Sequence, residues 1–482
     1  MNFRSTAVLT AAIAICLAGL AGIFWFRSTA APSSAAPTRP NILVILTDDQ
    51  RLDDMKVLTK TQALIARKGT AFANTYVATP LCCPSRATFL TGQYAHNNNV
   101  LDNGPPRGGY DLLDHSSTLA VWLQDAGYYT AHLGKYLNFY GVTSPPVVPP
   151  GWSRWFGLVD PSTYQMYGYT VNEDGKLVTY GNKPADYQTD VLARKAEEVI
   201  RARAGQDDPF FLTVAPLAPH LEGGDGTGIG GTVRPAPRHE GRSQRAKLPR
   251  TAAFNEPDVH DKPAHMRDRP RFPGKRWQAI LRIHRARLAS LLAVDDLVER
   301  LVAALRETGQ LDNTVILFTS DNGFFLGEHR LPDGKYYPYE EAIRMPLLIR
   351  GGGFPEGATA RQLASNIDLA PTILSLAGVD PGRVVDGRPL LPLALDPELE
   401  KDRALLIEGF SRGRRAGLPY AAVRTGRWIY TEYETGETEL YDLQSDPQQL
   451  TSRHAAPELA GVRAELAARL AGLRDCSGES CR

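Results

Sequence analysis

PNILVILTDDQ, residues 40–50, carries five consecutive apolar side chains, Ile42 to Leu46, and then two aspartates, Asp48 and Asp49. A short unbroken apolar run of this kind reads as a strand buried on both faces, the signature of a parallel sheet. NTVILFTSDNG, residues 313–323, has the same texture and ends on Asp321 and Asn322. Between the two, helical spacing around Thr59–Lys68, Thr118–Asp125, residues 187–205 and Trp277–Thr308 alternates with the apolar runs YYTAHLGKY (128–136) and PFFLTVAPLAPH (209–220). The last of these delivers His220 to a strand's carboxyl edge, and the long pattern over 277–308 allows one break. Strands alternating with helices predict an α/β fold built on a large, mostly parallel, doubly wound sheet. From about Leu405 the texture changes to short alternating strands and one helix near Pro457–Leu473, which predicts a smaller C-terminal α+β lobe over 396–482.

The chain has 482 residues, 43% of them hydrophobic and 22% charged, so an ordinary globular core is within reach. A formal net charge of +1 gives no global case for nucleic acid. Arg4, an apolar run from Ala7 to Phe26 and a Pro/Ala/Ser linker predict an export signal or an uncleaved membrane anchor over residues 1–39, with Ser28 and Ala30 as cleavage-site candidates. The body of the protein is then expected outside the cytoplasm, secreted or anchored. Export implies an oxidising compartment, where Cys476 and Cys481 can close a small loop. Cys16 falls in the leader, which leaves the adjacent pair Cys82 and Cys83.

In open parallel sheets ligands gather beyond the carboxyl ends of strands, so Asp48, Asp49, Asp321 and Asn322 are expected together. Three carboxylates and one amide make a hard oxygen site suited to calcium, with magnesium second. Asp and Asn are also common helix caps and turn residues, and that reading stands beside the metal site. In LCCPSRATFLTG, residues 81–92, Pro84 suits the first turn of a helix and Gly92 its end. Cys82 and Cys83 therefore sit at a helix N-terminus, where orphan N–H groups favour an anion or a polarised nucleophile. Arg86, one turn in, can hold the same site; a thiolate nucleophile and an inert buried cysteine are both open here.

Cys82-Cys83-Pro84-Ser85-Arg86 followed by Leu90-Thr91-Gly92 resembles the C-x-P-S-R-x-x-x-L-T-G signature of type I sulfatases. The resemblance extends through LTDDQ, GKYLN, PPGWSRWFGL, APH, FNEPDV, SDNGFFLGEH and ELYDLQSDP, covering most of the chain. GKYLN, PPGW and FNEPDV are similar to the branch acting on N-acetylglucosamine 6-sulfate, which includes the extracellular heparan sulfatases. The resemblance implies an alkaline phosphatase-like fold with a catalytic domain over 40–395. It implies that a maturation enzyme converts Cys82 to formylglycine, while Cys83 fills a variable position.

A hydrated aldehyde offers two hydroxyls on one carbon: one attacks sulfur, and the other later collapses to the carbonyl and expels sulfate. The same resemblance makes Asp48, Asp49, Cys82, Asp321 and Asn322 the calcium shell, and Arg86 a holder of nucleophile and metal. It makes Lys135 and Lys335 grips on the sulfate, and His220 the donor near the leaving oxygen. The chain departs from the common G-K-x-H pattern: Leu137 stands where many sulfatases carry histidine, and Asn138 offers a substitute polar contact. His329 has either a substrate or a structural role. The expected substrate is a sulfated carbohydrate or an aryl sulfate, with loop 222–273 shaping the pocket. A phosphoester or phosphonate monoester hydrolase of the same superfamily is the alternative, and an inactive surface-binding protein the third.

Overall fold

The computed structural model describes residues 39–223, 231–410 and 418–482. The leader, with Ala7–Phe26, Cys16, Ser28 and Ala30, lies outside the described residues. Among the described residues no helix is long and apolar enough to cross a membrane.

Ten strands form one sheet: β1 (Asn41–Thr47), β2 (Thr70–Tyr76), β3 (Tyr129–Gly134), β4 (Arg154–Leu158), β5 (Thr170–Glu173), β6 (Lys176–Thr179), β7 (Phe210–Ala215), β8 (Thr314–Ser320), β9 (Leu347–Arg350) and β10 (Ala358–Ser365). Their order is β10-β2-β9-β8-β1-β7-β3-β4-β5-β6. The centre, β8-β1-β7-β3-β4, is parallel throughout. Antiparallel pairs enter at β9 and at the β4-β5-β6 margin. Every residue of β1, β7 and β8 is buried, as two-sided packing of a parallel sheet requires. Apolar clusters fill both faces, one under helices Gln188–Ala202 and Gly274–Glu307, the other under Cys82–Thr91 and Leu369–Ala377.

The long helix runs unbroken over 34 residues, Gly274–Glu307. The break that the sequence allowed is missing because no proline interrupts the pattern, and one mostly apolar face stays buried from Ile280 to Leu305. Residues 231–273 are mostly irregular, as read, with a 3-10 turn at Pro237–His239 and one short α-helix at Ala264–Arg267. A second, antiparallel sheet joins β11 (Leu405–Gly409), β12 (Tyr420–Arg424), β13 (Trp428–Tyr433) and β14 (Thr438–Asp442) in that order, with helix Ala460–Arg474 packed on it. Cys476 and Cys481 form a disulfide.

Candidate active site

The parallel pairing of β1 with β8 sets Thr47 opposite Ser320, so the residues that follow each strand emerge side by side. Asp49 N–H donates to Asp321 Oδ1 at 3.0 Å, and Asn322 Nδ2 donates to Asp49 Oδ1 at 2.6 Å. All four predicted oxygen donors are buried and in one place. Asp49 holds φ at 66°, the left-handed region that costs a non-glycine residue energy and recurs at functional sites.

Helix Cys82–Thr91 begins at the cysteine pair and ends on Gly92 at φ 68°, the left-handed cap that glycine supplies most easily. Cys82 Sγ lies 3.4 Å from Asp48 Oδ1 and 3.9 Å from Asp49 Oδ1. Cys83 points instead into the apolar core beneath the sheet, and burial pushes its thiol up to about 12. Burial and the Asp48 charge also push the Cys82 thiol up, with Lys135 and Lys335 pulling the other way. The balance favours a neutral thiol, which argues against an unmodified thiolate as nucleophile.

Three cations neutralise the carboxylates. Lys135 Nζ donates to Asp48 Oδ2 at 2.6 Å, and Lys335 Nζ donates to Asp49 Oδ1 and to Cys82 Sγ, the latter at 2.8 Å. Arg86 Nε donates to Asp321 Oδ2 at 2.8 Å, while its Nη1 donates to the Lys135 carbonyl. Burial works against ionising Asp48, yet Lys135, His220 and Arg86 outweigh it and hold the carboxyl well below its usual range. Asp49 is likewise lowered against its burial, chiefly by Lys335.

Asp48, Asp49, Cys82 and His220 each bring a ligand atom within 4.8 Å of the others, and Asn322 Oδ1 is buried without a hydrogen-bond partner. A buried carbonyl oxygen left unpaired is costly, and a cation held by it and the surrounding carboxylates would remove that cost. The donor set therefore fits a hard divalent ion. His220 Nε2 lies 3.6 Å from Asp49 Oδ2, and its Nδ1 pairs with the Leu221 carbonyl at 2.6 Å. The carbonyl can only accept, so Nδ1 carries the proton and donates it there, and Nε2 turns towards the cluster.

Leu137 is buried in the core, and Asn138 Nδ2 donates to Tyr164 Oη at 2.7 Å. The Tyr164 ring lies 4.9 Å from Lys135 Nζ and 5.1 Å from the His220 ring, so it walls the site. His329 stands apart from the cluster: its Nδ1 pairs with Glu256 Oε2 at 2.8 Å and its ring stacks on Tyr339. It fastens the insertion to the loop that carries Lys335, and Asn255 N–H, which donates to the Gly327 carbonyl, adds a second tie.

Sequence reasoning missed Tyr164 and Arg287. Arg287 is fully buried and donates from Nη2 to the Asp49 carbonyl at 2.5 Å and from Nη1 to the Pro219 carbonyl at 3.1 Å. It braces the backbone bearing Asp49 against the backbone before His220. Its signal was available: an arginine on the apolar stripe of the long helix, between Ile283 and Leu291. Tyr164 arrives on a loop and left no periodic trace.

A helix N-terminus bearing Cys82, two lysines and a four-oxygen cluster on one sheet edge agree with the C-x-P-S-R resemblance. The sulfatase family model matches residues 40–379. The chain belongs to the sulfatase family. A second model, the C-terminal part of N-sulphoglucosamine sulphohydrolase, matches residues 327–476. The human N-acetylglucosamine-6-sulfatase is 35% identical over 521 aligned positions, covering 98% of this chain and 90% of that protein. A Volvox carteri arylsulfatase is also 35% identical, covering 97% of this chain and 78% of that protein. A solved sulfatase structure in complex with its substrate D-glucosamine-2-N,6-O-disulfate superposes with a TM-score of 0.77 at 26% identity, covering 90% of this chain and 97% of that one. This sulfatase is thus an enzyme that hydrolyses sulfate esters, with an alkaline phosphatase-like fold.

Proposed function

We propose that this sulfatase removes a 6-O-sulfate from an N-acetylglucosamine residue or a closely related sugar. The relationship that carries the reading is the convergence of Cys82 with Lys135, Lys335 and the Asp48–Asp49–Asp321–Asn322 oxygens. The identity to N-acetylglucosamine-6-sulfatases supports the sugar, and that to arylsulfatases keeps aryl sulfates as the second choice.

In this reading Cys82 reaches its working form as formylglycine, whose hydrate supplies the hydroxyl nucleophile. Asp48, Asp49, Asp321 and Asn322, with Cys82 completing the shell, would hold calcium beside it, and the ion would supply positive charge to polarise the sulfate oxygens. Lys335 already touches Cys82 Sγ and Lys135 the adjoining Asp48 carboxylate, and both offer positive charge to the anion and to the charge that grows in the transition state. Arg86 and Arg287 hold the carboxylates and the Asp49 backbone, so the charges need no rearrangement during reaction. A sugar alkoxide is a poor leaving group, and in this reading His220 Nε2, which faces the cluster, supplies the proton there once it has taken one up against the burial that lowers its pKa. Residues 1–39 serve as an export signal or a membrane anchor with linker, a maturation enzyme acts on Cys82, and residues 396–482 form the small subdomain.

Hydrolysis rates across N-acetylglucosamine 6-sulfate, other sulfated sugars and nitrophenyl sulfate test the reading. Highest kcat/KM on the 6-sulfated hexosamine supports it; exclusive turnover of aryl sulfate, or preference for phosphonate esters, contradicts it.

A further inference from the structure

The segment that carries Lys335 is held in a costly backbone. His329, Arg330 and Tyr336 sit at φ 52°, 60° and 100°, left-handed conformations that side-chain-bearing residues keep only where their surroundings impose them. Residues 253–257 of the insertion grip the first two. His329 N–H donates to the Ala253 carbonyl at 2.8 Å, Asn255 N–H to the Gly327 carbonyl at 2.7 Å, and Arg330 Nε to the Glu256 carbonyl at 2.9 Å. Phe325 N–H donates to the Gly334 carbonyl at 2.8 Å and closes the loop, so the bend at 329–330 and the position of Lys335 belong to one unit.

At the centre of that grip an imidazole is enclosed between two carboxylates. His329 is fully buried, with Nδ1 2.8 Å from Glu256 Oε2 and Nε2 3.6 Å from Glu341 Oε2. A neutral ring has one N–H to offer; the imidazolium presents one to each acid. Tyr339 stacks on the ring at 4.1 Å between centres, and behind it Glu439 accepts from the hydroxyls of Tyr339, Tyr433 and Tyr441. The neighbouring cations are engaged elsewhere. Lys262 Nζ lies 3.7 Å from Glu256 Oε1 but donates to Tyr441 Oη and to the Gln449 carbonyl, and Arg51, whose charge reaches Glu341, donates to Glu328. Burial works against a charge on His329, yet the hydrogen bonds to Glu256 and Glu341 outweigh it and raise its pKa.

We propose that His329, carried as the imidazolium between Glu256 and Glu341, is a positioning residue that keeps Lys335 against Cys82 and Asp49. Loss of its proton leaves two buried carboxylates with a single N–H between them, a cost that loosening of the bend at 329–330 relieves. Lys335, carried on the same loop, then moves off the site. The proposal rests on the reading of Lys335 as a contact for the sulfate, and adds what sets its position and why that position depends on pH.

The test is a double-mutant cycle on nitrophenyl sulfate with the mature enzyme, joined to pH profiles of kcat/KM. His329→Gln is expected to lower kcat/KM at least about tenfold, the scale of a small misplacement of a catalytic group. Adding it to Lys335→Met should cost less than about threefold more, because residues acting through one contact are not additive. Wild-type kcat/KM should fall as rising pH strips the His329 proton, and Glu256→Gln or Glu341→Gln should move that fall about one unit or more to lower pH, since each removes a charge that favours the proton. Glu341→Gln, at a side chain 13% exposed, keeps the test alive should the fully buried positions fail to fold. Losses that multiply in the double variant, or an alkaline fall at the same pH in wild type and both acid variants, overturn the proposal alone. Lys335→Met with wild-type kcat/KM overturns the reading of Lys335 and the proposal with it.

Discussion

Lys335 Nζ reaches Cys82 Sγ and Asp49 Oδ1 at once, tying the first residue of the helix to the carboxylate cluster through one side chain. Its ammonium is buried, and although burial disfavours the charge, Asp49 and Cys82 raise its pKa, so it stays protonated through the neutral range. Lys335→Met removes a positive charge held against Cys82 and Asp49. The expected loss is about 10²–10³ in kcat/KM on nitrophenyl sulfate, the scale of deleting one preorganised electrostatic contact. A loss within threefold would mean that the loop bearing Lys335 serves only to close the site.

Removing divalent metal is expected to abolish turnover. Asp48 and Asp49 are already neutralised in part by Lys135 and Lys335, so the fold should persist when the cation leaves. Activity and circular dichroism after exhaustive chelation, then after adding calcium or magnesium, check this. Full activity in the chelated enzyme contradicts the metal assignment.

The two neighbouring cysteines should separate cleanly. Cys83 is fully buried against apolar side chains, so Cys83→Ala should cost about 1–2 kcal/mol of stability and leave kcat within a few-fold. Cys82→Ser should lose at least about 10³ in kcat while unfolding at a similar denaturant concentration. Equal losses in both variants would point to a paired-thiol function.

The sheet and the oxygen cluster were legible because both depend on local pattern: an apolar run says strand, and parallel strands in register put the residues after Thr47 and Ser320 side by side. The nucleophile helix was legible from Pro84 and Gly92, which mark its two ends. Arg287 and Tyr164 were not, because their roles come from long-range placement: one faces inward from a helix 238 residues away from Asp49 in sequence, the other sits in a turn between strands. The β4-β5-β6 margin escaped for a similar reason. Its last strand, Lys176–Thr179, is exposed throughout and lacks a buried face to write a pattern.

His96 predicts a pH-dependent component of stability. Its Nδ1 pairs with Glu408 at 2.8 Å and its Nε2 with the Cys476 carbonyl at 2.9 Å, fastening the disulfide loop. Burial opposes its charge, but the Glu408 hydrogen bond and charge prevail and raise its pKa to about 9. Because the folded value exceeds the unfolded one of about 6.5, the contribution is complete below pH 6.5 and vanishes as pH rises through about 9. Wild type should lose on the order of 1–3 kcal/mol between those limits, and His96→Gln should lose less over the same window, read from denaturant midpoints. Parallel pH profiles in the two proteins would show that the imidazole is neutral throughout.

In the proposed mechanism Cys82 acts only after conversion to formylglycine. Mass spectrometry of the peptide spanning Cys82, from active enzyme produced alongside a formylglycine-generating maturase, tests it most directly. The account predicts the aldehyde or its hydrate at Cys82 and an unmodified thiol at Cys83, with specific activity proportional to the converted fraction. Fully active enzyme carrying only the Cys82 thiol would contradict it.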